Sequence, residues 1–275
     1  MSNGTIAVRD QLADLKKQID ARQMVIARSL PPGLSQARFE QSIITLCGRV
    51  PELLRCDRAS FIGAVLRAAH LGLDVDPATG QAWILPFGKV AQFIPGYRGL
   101  AQLAWRTETV SKLGGEAVRE GDFFDWMDGS DAFIKHKRLA PETAAVTHAW
   151  SLFKVKGSDE ATFRVIPVDE IEKIRKAAPS ARARTSPWTT GHYAEMSVKT
   201  AHRRCLKLVP SNGEKSRPLE KAIDLDERAD RGAKQYNVEE LLDEVSNEKE
   251  TEQEAGQDGG GAAGQVPHSE AGSDR

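Results

Sequence analysis

The spacing of apolar residues changes along the N-terminal part of the chain, and this change constrains the fold more than any other feature. Over residues 35–71 apolar side chains recur every three to four positions, as on amphipathic helices, and Pro51 separates two such runs. Over residues 81–94 they alternate with other residues, as in half-buried strands, on both sides of Gly88-Lys89. A two-residue link between alternating segments predicts a β-hairpin. The chain therefore combines helices with antiparallel strands.

Both patterns continue further along the sequence. Segment Gly121–Pro141 is polar and aromatic, and we interpret it as either a hairpin excursion or a long loop. The fold class predicted is α+β, with a small, mainly antiparallel sheet, helices packed on it, N-terminal helices and a disordered acidic C-terminal tail. The predicted elements after residue 95 are a helix at Gly96–Arg106, strands at Val110–Glu120, Ala145–Val155 and Thr162–Ile166, and helices at Asp169–Ala177 and Trp188–Val209.

Prolines and a change in composition divide the chain into three predicted parts. Residues 1–30 form an N-terminal helical arm, which is either an amphipathic helix broken by Pro31-Pro32 or a mobile arm that docks on a neighbouring subunit. Residues 31–220 form the core. Residues 221–275 form an acidic, largely disordered tail that ends in a glycine-rich, low-complexity run. Within this tail, residues 236–245 are either a frayed helix or a peptide that binds a partner.

The net charge of the whole chain conceals an asymmetry. A net charge of −1 argues against a nucleic-acid-binding protein. Residues 221–275, however, carry 6 basic and 15 acidic residues, which leaves 32 basic and 24 acidic residues in residues 1–220. The net charges are therefore −9 for the tail and +8 for the body, and a basic body favours a polyanionic ligand.

Several functional classes lack their sequence signatures. The chain has no apolar run of about 18 residues, which a membrane-spanning helix needs, and no signal-peptide pattern, so we expect a cytoplasmic protein that does not contact membranes. The three cysteines have no C-x-x-C spacing, and the six histidines have no metal-binding spacing. There is no P-loop motif and no nucleophile elbow. We therefore predict no metal, no cofactor and no enzymatic activity.

The last predicted helix of the core carries a row of positive charges. Lys199, Arg203 and Lys207 recur at intervals of four residues, with Arg204 beside them. Like charges at this spacing repel by a few tenths of a kcal/mol per pair on an isolated helix. An anionic ligand explains the row better than helix stability does, and the alternative is a solvated basic surface. Basic residues in the preceding loop, Arg182 and Arg184, extend the positive strip.

A second candidate site opens the helix that follows the first hairpin. Arg98 lies near the N-terminus of this helix, where a positive charge is unfavourable against the helix dipole unless an anion binds there. Gln102 and Arg106 share its helical face. Tyr97 is either a stacking residue for a nucleic-acid base or part of the core.

Four ordered sequence blocks carry a family resemblance. They are LGLDVDPATGQAWILPFGKVAQFIPGYRGLAQLAWR at residues 71–106, VREGDFFDW at 118–126, AVTHAW at 145–150 and SPWTTGHYAEMSVKTAHRRCLKLVP at 186–210. Together they resemble the RecT family of phage and prophage single-strand annealing proteins over residues 24–230. The link Gly88-Lys89 is shorter than the loop of some relatives, and the first 23 residues and the glycine-rich tail match nothing in the family.

The resemblance implies a protein of the bacterial cytoplasm that binds single-stranded DNA, assembles into rings or filaments and anneals complementary strands without ATP. It also implies partners, namely a phage 5′–3′ exonuclease and the host single-strand binding protein, and an annealed duplex intermediate. The DNA-binding residues it implies are Tyr97, Arg98, Lys199, Arg203 and Arg204, with Gln92 and Lys207 as weaker candidates. The alternatives are a passive single-strand DNA-binding protein and, with less support, a metal-dependent nuclease.

Overall fold

The elements follow one another in the order helices, hairpin, helix, sheet, helices. A computed structural model describes residues 13–14, 16–17, 19–21, 23–31, 34–178, 181, 188–189 and 191–232. The loop with Arg182 and Arg184 and the tail segment 236–245 lie outside the described residues. The helices are α1 Gln23–Ser29, α2 Gln36–Arg49, α3 Arg58–Leu71, α4 Tyr97–Arg106, α5 Val168–Ala177, α6 Tyr193–Leu206 and α7 Arg217–Asp230. The strands are β1 Ala82–Phe87, β2 Val90–Pro95, β3 Val110–Arg119, β4 Phe123–Met127, β5 Phe133–Lys137, β6 Val146–Val155 and β7 Ala161–Pro167.

The ends of α2 and α3 follow from capping residues. Ser35 caps α2 by accepting a hydrogen bond from the backbone N–H of Arg38, and Asp57 caps α3 in the same way through Ser60. Gly72 ends α3 in a left-handed conformation with φ of 61°, which glycine adopts without strain. The two helices predicted from the apolar spacing are thus confirmed.

The predicted hairpin is confirmed as well. Strands β1 and β2 pair antiparallel from Ala82 opposite Pro95 to Phe87 opposite Val90, with Gly88-Lys89 as the link. Gly88 has φ of 62°, as a tight hairpin link requires. Ile84 and Phe93 of this hairpin are fully buried in the same apolar cluster as α3.

The remaining strands form two further antiparallel sheets. Strand β6 lies between β3 and β7 in a three-stranded sheet, so β3 is an edge strand. Strands β4 and β5, which lie between β3 and β6 in the sequence, form a separate hairpin. Segment Gly121–Pro141 is therefore a hairpin excursion and not a long loop. The predicted α+β class is confirmed, and its strands are distributed over three small sheets.

Helix α6 starts later than expected, and helix α7 was not expected at all. Helix α6 begins at Tyr193, five residues after the expected start, because Trp188 lies in a buried turn and Gly191 has φ of 89°. Helix α7 buries Leu219 and Ile223 in the main apolar cluster, so the packed part of the chain continues beyond the expected boundary at residue 220. Ile19 and Ile26 are buried in the same cluster, although both belong to the expected arm.

Within the described ranges, none of the helices has the length and apolar character needed to cross a bilayer.

Candidate nucleic-acid interface

The G-Y-R-G motif forms a close contact between the start of α4 and the turn before β1. A Cβ atom on Gly96 would lie 2.2 Å from the carbonyl oxygen of Gly80, and one on Gly99 would lie 2.1 Å from that of Gln81. No side chain fits at either position, since real Cβ contacts are essentially never shorter than 3.0 Å. The two glycines therefore hold the helix against the turn and direct the residues between them to the surface.

Tyr97 and Arg98 form a linked pair at this surface. Tyr97 is 36% exposed, and the Nε of Arg98 donates a hydrogen bond of 3.1 Å to its hydroxyl oxygen. The guanidinium carbon lies 5.8 Å from the centre of the Tyr97 ring, within the range of a cation–π contact. Gly96 gives α4 no side-chain cap, so no side chain of the N-cap residue satisfies the first N–H groups of the helix.

Two cavities meet at Tyr97 and Gly115, and we call them together the Tyr97 groove. One has a volume of about 830 Å³ and lies between α4 and β3, where it is lined by Arg98, Trp105 and Gly114 among others. The second has a volume of about 490 Å³ and continues along β3. Its lining includes Glu116, Arg119, Arg138, Glu142, Ala194, Glu195 and Val198. The groove follows β3 from residue 113 to residue 119, a distance of about 20 Å at roughly 3.3 Å per residue.

The floor of the groove depends on contact between a glycine and a buried histidine. A Cβ atom on Gly115 would lie 2.8 Å from Cε1 of His202 and 2.8 Å from the carbonyl oxygen of Trp150. His202 is 6% exposed, and its Nδ1 lies 2.8 Å from the hydroxyl oxygen of Ser151. Its ring is parallel to that of Tyr97 within 4°, with 6.4 Å between the ring centres. Burial lowers the pKa of His202 to about 4, so this support for Tyr97 is neutral at physiological pH.

The far wall is fixed by the buried carboxylate of Asp122. It accepts hydrogen bonds from the backbone N–H groups of Leu139 and Ala140, at 2.7 and 2.9 Å, and lies 3.1 Å from Nε2 of His136. Trp150 donates its indole N–H to Nδ1 of His136 at 3.0 Å, so the proton of a neutral His136 is on Nε2. Burial alone would raise the pKa of Asp122, but the N–H groups lower it overall. This network attaches the β4–β5 hairpin, and the segment after it, to β6.

The comparisons with known proteins agree with the sequence motifs of this groove. The model of the RecT family matches residues 37–251. The chain belongs to the RecT family. It is 34% identical to Protein RecT of Escherichia coli (strain K12) over 211 residues, which cover 74% of this chain and 76% of that protein. It is also 31% identical to the uncharacterized protein YqaK of Bacillus subtilis (strain 168) over 121 residues, 44% of this chain and 43% of the relative.

Membership of the RecT family supports DNA binding and single-strand annealing in recombination as the general activity. The motif blocks of the family contribute differently to the groove of this chain. G-Y-R-G brings Tyr97 and Arg98 into it, and their role in DNA binding stays a prediction. From the K-T-x-x-R-R block only His202 lines the groove. This residue lies between Lys199 and Arg203, the two cations that were expected to bind DNA.

Lys199 and Arg203 of that block are buried against α7. They are 8% and 6% exposed, and both contact Asp226, which is 1% exposed. The distances are 2.5 Å from Lys199 Nζ and 3.0 Å from Arg203 Nη1. Asp230, one turn along α7, also pairs with Arg203. Burial alone would lower the pKa of Arg203, but Asp226 and Asp230 outweigh it and raise that pKa.

Acidic residues of α7 neutralise the row of cations on α6, which the sequence analysis expected an anionic ligand to neutralise. The sequence interpretation assigned the row to an external anion because α6 has no acid interleaved with it. The acids come instead from α7, with Asp226 and Asp230 spaced to face two turns of α6. In the RecT-family chain this row is a clamp between two helices, which we call the α6–α7 clamp. Its members are Lys199, Arg203, Asp226 and Asp230.

The other expected DNA-binding residues also lie outside the groove lining. Arg204 contacts Glu170 of α5 at 2.6 Å, and Lys207 pairs with Glu227 of α7. Gln92 is 8% exposed within β2. The structure therefore brings Tyr97 and Arg98 together and places Gln92, Lys199, Arg203, Arg204 and Lys207 elsewhere.

Arg106, expected beside Arg98 on the phosphate-facing side of α4, has a structural contact. Its guanidinium donates to the carbonyl oxygens of Leu71 and Gly72, at 3.0 and 2.9 Å. These oxygens belong to the C-terminal end of α3, where a cation is favourable against the helix dipole. Arg106 lines the groove wall, but its donors are directed at α3.

The groove residues that sequence reasoning missed include Gly115, Arg119, Arg138 and His202. The paired glycines at 114–115 within a strand pattern were a signal of close approach by another group. Arg119 and Arg138 carried no local signal, because the β4–β5 hairpin separates them in sequence. Among the described residues, no cluster of His, Cys, Asp and Glu is suited to hold a metal ion.

Proposed function

We propose that the protein binds single-stranded DNA in the Tyr97 groove and anneals complementary strands without ATP, as part of homologous recombination. The observation that carries the proposal is the groove itself, where the Tyr97–Arg98 pair meets the glycine floor along β3. ATP independence rests on the lack of a P-loop motif in the sequence.

The lining suits contact with a phosphate backbone more than with base edges. Arg98, Arg119 and Arg138 are distributed over both cavities, and Arg and Lys contacts to phosphates provide affinity that does not depend on sequence. Tyr97 and Trp105, which is 46% exposed, offer aromatic surfaces for stacking. At about 3.4 Å per nucleotide, the groove accommodates about six stacked nucleotides. Annealing needs this arrangement, since the bases must stay available for a second strand.

The α6–α7 clamp supports the groove indirectly. Helix α6 carries His202 on the same turn as Arg203. The α6–α7 clamp therefore fixes the position of the His202 ring against the ring of Tyr97. Lys199 and Arg203 are therefore positioning residues in this proposal. Their replacement weakens DNA binding by displacing α6, and it also lowers the free energy of unfolding.

Oligomers and protein partners belong to the same proposal. Phe123, Trp126 and Met127 of the β4–β5 hairpin are 52%, 37% and 43% exposed, which is typical of surfaces that meet another macromolecule. We propose ring or filament formation through such surfaces. The acidic residues after 232 serve contacts with an exonuclease or a host single-strand binding protein, in the cytoplasm of a bacterial host.

Annealing of two complementary fluorescent oligonucleotides, without nucleotide cofactor, tests this function. The wild-type protein should speed duplex formation, and Tyr97→Ala and Arg98→Ala should each reduce both binding and annealing. Lys89→Ala is the matched control, because Lys89 is an exposed cation on the β1–β2 turn outside the groove.

The same assay separates the alternatives. A passive single-strand binding protein would slow duplex formation, and a nuclease would shorten a labelled strand in the presence of Mg²⁺. If Lys89→Ala and Arg98→Ala reduce binding equally, the charge of the whole surface and not the Tyr97 groove is responsible, and the proposed site is wrong.

A further inference from the structure

Arg138 and Glu116 form an ion pair within the Tyr97 groove. Glu116 lies on β3, and Arg138 lies in the segment that follows β5, with 3.6 Å between Nη1 and Oε1. The side chain of Arg138 is 71% exposed and that of Glu116 is 44% exposed. Both residues line the 490 Å³ cavity, so the pair links its floor to its far wall.

This pair is the most loosely held of the cation contacts in that cavity. The guanidinium of Arg119 donates a hydrogen bond of 2.9 Å to the carbonyl oxygen of Ala144, which directs it at the protein. The distance of 3.6 Å between Arg138 and Glu116 exceeds that of a charge-assisted hydrogen bond, which is about 2.7–2.9 Å. Arg138 therefore keeps its hydrogen-bond donors available for a closer anion.

The backbone next to Arg138 is fixed, although the side chain is exposed. The N–H groups of Leu139 and Ala140 donate to the carboxylate of Asp122, which belongs to the network that joins the hairpin to β6. The Cα of Arg138 is thus held beside the cavity while its long side chain can change partner. A fixed backbone with an exchangeable guanidinium suits repeated capture and release of an anion.

We propose that Arg138 is a phosphate-binding residue of the Tyr97 groove and that Glu116 is its resident counter-ion. The proposal rests on the proposed function and deepens it, since the ligand is a phosphate of single-stranded DNA. In the empty groove the carboxylate neutralises Arg138. A phosphate forms a shorter, bidentate contact with the guanidinium and displaces Glu116, which then repels the bound strand. This repulsion weakens binding and favours release of the annealed product.

The test compares two isosteric variants that remove one negative charge from the same cavity. Glu116→Gln removes the carboxylate that pairs with Arg138. Glu142→Gln is the matched control, because Glu142 lines the same cavity and makes no ion pair with a described residue. Dissociation constants for a fluorescent oligo(dT) strand are measured by anisotropy over a series of salt concentrations, with thermal unfolding as the check on folding.

Glu116→Gln should bind the strand about 1.4- to fivefold more tightly, the range expected from an exposed ion pair, and Glu142→Gln should bind it more weakly than Glu116→Gln does. Arg138→Ala should weaken binding and reduce the slope of log K against log salt by about 0.7, the contribution of one phosphate contact on a single strand. In the Arg138→Ala background, Glu116→Gln should have less effect than in the wild type.

Two results would overturn the proposal. Equal effects of Glu116→Gln and Glu142→Gln would show a general charge effect in place of a counter-ion. An unchanged affinity and salt slope in Arg138→Ala would show that no phosphate binds there. If the wild type binds and Arg98→Ala weakens binding, such results overturn the counter-ion alone. If the wild type fails to bind oligo(dT), both the proposed function and this inference are wrong.

Discussion

Gly115→Ala is the sharpest perturbation of the groove, because it adds one methyl group where the structure has no space. The new Cβ would lie 2.8 Å from His202 Cε1, 3.1 Å from His202 Nε2 and 2.8 Å from the carbonyl oxygen of Trp150. Ordinary contact begins at 3.4 Å, so the ring or the strand must move by at least about 0.6 Å. His202 cannot move freely, since it contacts Ser151 and stacks on Tyr97.

We expect Gly115→Ala to lower the free energy of unfolding by about 1–3 kcal/mol, as overpacking of a filled site does. Displacement of Tyr97 should also weaken binding of single-stranded DNA, by up to the value of one base stack, about 1–3 kcal/mol. Urea unfolding followed by circular dichroism measures the first effect, and anisotropy with a fluorescent oligonucleotide measures the second.

Gly114→Ala is the control for strain, because its Cβ would meet nothing nearer than an atom of Trp150 at 4.0 Å. A second control is the Gly115→Ala/His202→Ala pair, whose combined cost should be less than the sum of the single costs, since the ring that is contacted is gone. If Gly115→Ala and Gly114→Ala unfold at the same urea concentration, the close approach of His202 does not constrain the strand and the reasoning is refuted.

Three further predictions concern the residues that support the groove. Asp226→Asn should lower the free energy of unfolding, measured in urea, by about 3–5 kcal/mol, because it removes the charge that two buried cations share. Arg204→Ala breaks a half-exposed ion pair and should lower the free energy of unfolding by less than about 1 kcal/mol. The folded pKa of His202 is lowered to about 4 and the unfolded value is about 6.5, so the unfolded chain binds more protons between them. The free energy of unfolding should therefore fall as the pH decreases from about 6.5 to about 4, and less steeply in His202→Gln. Trp150→Phe removes the donor to His136 and should cost about 1 kcal/mol, with faster amide exchange of Leu139 and Ala140 as the measurement specific to the hairpin.

Local signals predicted the elements of this fold, because the residues that end each element are neighbours in sequence. Ser35 and Asp57 cap helices through N–H groups three residues away, and Gly88-Lys89 links two strands directly. Helix α7 escaped prediction since its acidic composition resembles that of the tail. Its apolar residues Leu219 and Ile223 become recognisable as core only once β2 and α4 provide a surface to pack on.

The candidate site was predictable to the extent that it is local. G-Y-R-G contains both Tyr97 and Arg98 and the glycines that expose them, and of the two interpretations of Tyr97 the structure shows a partly exposed ring in place of a core residue. The partners of Lys199 and Arg203 lie 27 and 23 residues away on another helix, beyond any pattern read along α6. The charge of a side chain is visible in a sequence, but its neutralisation depends on tertiary contacts.

Tertiary contacts that a sequence does not show have little effect on the charge count of the body but a large effect on the assignment of the site. The position of the boundary between body and tail illustrates both effects. Residues 221–232 carry three basic and four acidic residues, so moving the boundary to residue 232 changes the net charge of the body only from +8 to +7. The long-range attraction of the body for a polyanion is therefore unaffected. The same move assigns Asp226, Glu227 and Asp230 to the body, where they pair with Lys199, Arg203 and Lys207 and neutralise this row of cations on α6. We therefore expect DNA affinity to come from cations whose partners are weak or exchangeable, and Arg98 and Arg138 meet that condition within the Tyr97 groove.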